Sequence, residues 1–77
     1  MGMAQREIRE KRVQVLKTIA LEDLERGTSE EGIFNHLFMT ARLNWTLSVY
    51  AARDIAQLAL QLAQAEMKKK IEGERHE

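Results

Sequence analysis

Apolar residues recur at helical spacing along most of the chain. Ile8, Val13, Val15, Leu16, Ile19, Ala20 and Leu24 share one half of a helical wheel, which predicts a first helix over about residues 4–26. Gly27 stands where a left-handed stop is expected. The segment Thr28, Ser29, Glu30, Glu31 then reads as a capping box, with Thr28 accepting from the Glu31 amide. Ile33, Phe34, Leu37, Phe38 and Ala41 follow at intervals of three and four and predict a second helix over about 29–41. From Asn44 to Lys70 there is neither Pro nor Gly. A long third helix is expected over about 45–71, with Asn44 or Thr46 as its N-cap and residues 72–77 as a frayed tail.

The third helix is apolar around roughly 220° of its circumference, more than a surface helix normally buries. Its polar stripe is narrow: Arg53, Gln57, Gln61, Gln64 and Lys68. The apolar arc has two unlike sides. Leu47, Ile55, Leu58 and Leu62 form a bulky side, and Ala52, Ala56, Ala59 and Ala63 form a row of small residues. Bulky residues fill a core, whereas a row of alanines lets two helix backbones approach closely. The expectation is therefore that the leucine side packs on the first two helices. The alanine row would meet the same helix of a second copy about a two-fold axis. The alternative is that the first helix crosses the alanine row within one bundle. The predicted fold is all-α: one three-helix domain spanning residues 1–77, in a helix-turn-helix-like arrangement, dimerising into a larger helical bundle.

Composition narrows the possibilities in a few ways. At 77 residues a single core is close to the minimum that stabilises a domain, and with no Cys neither a disulfide nor a thiolate metal site can add to it. This also points to self-association. Lys and Arg total 12 and so do Asp and Glu, giving a net charge of zero and no basic excess for general nucleic-acid binding. Arg53 and Asp54 in the middle of the longest apolar run argue against a membrane span. The N-terminal region is charged from Arg6 onward and resembles no signal-peptide core, so a cytoplasmic location is expected. Gly2 lacks the Ser or Thr at position 6 that myristoylation requires.

Candidate chemistry is sparse. The histidines are His36, on the side of the second helix away from its apolar rows, and His76, in the expected tail. Neither Glu30 nor Glu31 stands one helical turn from His36, so no shared metal site is expected. The serines and threonines lack an adjacent base, and there is no Gly-rich phosphate loop. No catalytic residue, metal or cofactor is assigned, and the chain is not expected to be an enzyme.

Two functional readings remain. In the first, the chain is a small interaction module, a regulator or adaptor that self-associates through its third helix, with Phe34, Phe38 and Trp45 as possible anchors for a protein partner. In the second, helix two, turn and helix three form a DNA-binding helix-turn-helix, with Arg42, Asn44, Ser48 and Arg53 at the DNA. The turn has no Gly, and two carboxylates open the helix that should cross the phosphates, so the first reading is preferred. Two charged residues intrude on the apolar half of the first helix. Arg12 can extend its head to water, and Asp23 needs a cationic partner such as Arg42 or Arg53.

Overall fold

A computed structural model describes residues 4–74 and contains three α-helices: α1 Gln5–Glu25, α2 Glu30–Trp45 and α3 Val49–Glu74. The assignments at Gly2 and His76 lie outside the described residues. At about 1.5 Å per residue, the helices are about 32, 24 and 39 Å long. Cross-helix contacts set their directions. Arg9 meets Asp54 and Lys17 meets Glu66, so α1 and α3 run parallel. Arg12 meets Trp45 and Asp23 meets His36, so α2 runs antiparallel to α1. The result is an up-down-up three-helix arrangement measuring 48 × 29 × 15 Å.

Each helix end has a local cause. At the end of α1, Gly27 adopts φ 80, its amide donates to the Leu24 carbonyl (3.1 Å), and the Thr28 amide donates to the Asp23 carbonyl (3.0 Å). This pair of bonds is the Schellman closure, and it needs the left-handed glycine. The next cap falls one residue later than the sequence suggests. Ser29, not Thr28, is the N-cap of α2, and its Oγ accepts from the Gly32 amide at 3.1 Å. A Cβ on Gly32 would stand 3.1 Å from both Ser29 Oγ and Thr28 Cγ2, so the glycine lets the cap close tightly.

The α2–α3 junction also differs from expectation. α2 continues a full turn past residue 41, because nothing between Ala41 and Trp45 breaks a helix and Trp45 is held against Arg12 of α1. It stops at Thr46, which takes the left-handed conformation (φ 51, ψ 41), unusual for a β-branched residue. Neither Asn44 nor Thr46 caps α3. Ser48 does so, its Oγ accepting from the Ala51 amide at 3.2 Å. At the other end α3 remains helical through residues 72–74.

The core corrects the assignment of the two sides of α3. Ala52, Ala56, Ala59 and Ala63 are completely buried within the single chain. They lie in the same core cluster as Leu16 of α1 and Ile33 and Leu37 of α2, the largest fully buried side chains. Small residues on one helix and large ones on its neighbours let three backbones close together without voids. A residue with no exposed area cannot form an interface unless the fold opens, so the alanine row is not a dimer surface. The bulky side is the less covered one. Ile55 is buried, Leu47 and Leu58 are half-buried, and Leu62 is exposed.

Candidate functional site

The least covered large apolar side chains lie where α2 hands over to α3. Met39 and Leu43 are one helical turn apart on the outer face of α2 and are 52% and 75% exposed. Across the connection of residues 46–48, Val49 and Tyr50 open α3, with Tyr50 83% exposed. The geometry explains this placement. Ile33, Leu37 and Ala41 point α2 at the core, which turns Met39 and Leu43 outward. On α3 the buried row starts at Ala52, and Tyr50 lies about 160° from it on the wheel. Single exposed apolar residues are ordinary on a protein surface; Leu43 and Tyr50 stand out as the two most exposed large apolar residues described, and they lie on either side of one short connection.

The anchors expected from the sequence lie elsewhere. Phe34 and Phe38 stack on each other with ring centroids 6.2 Å apart and an interplanar angle of 14°. Both are half-buried at the edge of the core. Trp45 is half-buried, with the Arg12 guanidinium 5.4 Å from the centroid of its ring. These three therefore serve mainly the packing of α2. Of the exposed residues at the corner, Leu43 was not singled out from the sequence. The signal was Leu43 itself, a leucine off the Ile33–Leu37–Ala41 stripe on a helix longer than it first reads.

Of the residues considered for DNA contact, Arg42, Asn44 and Arg53 are exposed and Ser48 is engaged in capping α3. Arg53 shares a shallow hollow with Glu30, Glu31 and Phe34. Carboxylates flanking the only basic residue on that part of α3 disfavour a phosphate there.

The charged residues inside the bundle pair in an unforeseen way. Asp23 is 5% exposed, and its Oδ2 accepts from His36 Nδ1 at 2.7 Å, while Arg26 stands 3.7 Å from Oδ1. Its partners are thus His36 and Arg26, not Arg42 or Arg53. His36 is half-exposed, since the outer part of the ring faces solvent while Nδ1 reaches inward. Among the described residues, no group of three or more His, Asp or Glu could hold a metal ion, and no helix is long and apolar enough to cross a membrane. Compared with protein-family models, curated proteins and solved structures, the chain matches none.

Proposed function

We propose that this chain is a small helical interaction module, a regulator or adaptor, that binds a second copy of itself through the corner formed by Met39, Leu43, Val49 and Tyr50. The observation that carries this reading is the exposure of Leu43 and Tyr50, on either side of one short connection. A leucine and a tyrosine held out on rigid helices suit burial in an interface, because little side-chain freedom remains to be lost. The zero net charge leaves no overall repulsion between copies. A chain of this size without disulfides also gains stability from association.

The third helix contributes Val49 and Tyr50 to this surface, so self-association still involves α3, by its first turn and not its alanine row. The DNA-binding reading draws less support, because Ser48 is used as a cap and Arg53 has carboxylates beside it. Amide chemical shifts followed through a dilution series test the proposal. Concentration-dependent shifts are expected around residues 39–50. Shifts confined to other parts of the chain would place the contact elsewhere.

A further inference from the structure

A groove of about 380 Å³ runs along the seam between the first half of α1 and the start of α3. Its apolar lining comes from Ile8, Leu47 and Ile55, and its charged lining from Arg9, Arg12 and Asp54. These three charges are not equivalent. Arg9 Nη2 donates to Asp54 Oδ2 at 2.6 Å, and the two neutralise each other. Arg12 has no carboxylate partner among the described residues. Its half-buried guanidinium lies over the Trp45 ring on one side and lines the groove on the other. The ring contact leaves its N–H donors without a carboxylate among the described residues.

We infer that this groove binds a small amphipathic carboxylate, its hydrocarbon part on Ile8, Leu47 and Ile55 and its carboxylate on Arg12. The groove carries one net positive charge, which matches a singly charged anion. A dianionic phosphate would also face Asp54. The planar fork of a guanidinium pairs with a carboxylate through two parallel hydrogen bonds, and partial burial strengthens that pairing relative to open water. The volume lies within the range of ligand clefts. This site is on a different seam from the Leu43–Tyr50 corner and stands independently of it.

Titration of the full chain with sodium octanoate, followed by calorimetry and by fluorescence of Trp45, the one tryptophan in the sequence, tests the inference. Octanoate should bind saturably and perturb Trp45 emission, while 1-octanol should bind at least about tenfold more weakly for want of the charge. Arg12→Gln should remove the preference for octanoate over octanol, and Arg12→Lys should retain only part of it, keeping the charge without the fork. Lack of saturable octanoate binding would overturn the inference. So would octanol binding as tightly as octanoate, or octanoate binding Arg12→Gln as tightly as the parent chain. The comparison of octanoate with octanol needs no variant, so it decides the matter even if Arg12→Gln fails to fold.

Discussion

Asp23 and His36 join α1 to α2 through a 2.7 Å hydrogen bond between a buried carboxylate and a half-exposed imidazole. Each residue looks misplaced on its own helix. Asp23 sits near a helix C-terminus, where the dipole disfavours it, and on the buried face. His36 lies off the apolar rows of α2. Together they complete each other's hydrogen bonding at the point where α2 crosses back over α1.

This pairing makes His36 a stability residue. His36→Ala would leave the Asp23 carboxylate buried with only the distant Arg26 contact, at a cost of about 1–3 kcal/mol. His36→Asn, whose amide can occupy the Nδ1 position, should recover part of that. Urea denaturation of the three chains checks it. Equal midpoints for His36→Ala and the parent would show that water serves Asp23 as well as the imidazole does.

The alanine row yields a prediction of opposite kind from the one its sequence suggests. If Ala56 and Ala59 lay at a surface between copies, enlarging them would reduce association and leave each subunit folded. Both are instead fully buried within one chain. Ala56→Leu and Ala59→Leu should therefore each destabilise folding by about 1–3 kcal/mol, through overpacking. Thermal unfolding at two protein concentrations separates the cases. A loss of stability that persists on dilution is the expected result.

Caps offer a finer test of residue-level placement. Ser29 supplies the oxygen that receives the Gly32 amide, so Ser29→Ala should cost about 0.5–2 kcal/mol. Thr28→Ala, at the position the capping-box pattern favours, should cost much less. The reverse order in denaturant midpoints would move the cap back by one residue.

Thr46 holds a left-handed conformation that a β-branched residue tolerates poorly. Thr46→Gly should raise stability by about 0.5–1 kcal/mol, the relief of strain outweighing the greater freedom of glycine in the unfolded chain. A lower melting temperature in that variant would argue that the Thr46 side chain contributes more than its strain costs.

The three helices were legible in the sequence because their apolar residues keep the helical period and Gly27 marks the first break without ambiguity. The α2–α3 junction was not. Leu43, Asn44 and Trp45 have no strong preference for turn over helix, and what keeps them helical is the contact of Trp45 with Arg12, a residue 33 positions earlier. That shift of one turn in α2 also hid Leu43 as an outward-facing leucine. The alanine row was expected between two copies and instead lies in the core of one chain, because which helix covers it is a tertiary matter. An apolar arc on one helix does not say whether its own chain or a second copy covers it. Asp23 announced that it needed a partner. Its choice of His36 depended on how α2 folds back after Gly27, which local pattern does not encode.

The proposed pairing of two copies through Leu43 and Tyr50 is tested most directly by light scattering over a tenfold range of concentration. The parent chain should approach twice 8.9 kDa as concentration rises. Leu43→Glu with Tyr50→Glu should remain at the mass of one chain, with its helical circular dichroism intact. A parent chain that stays monomeric throughout, or a double variant that associates as the parent does, would contradict it.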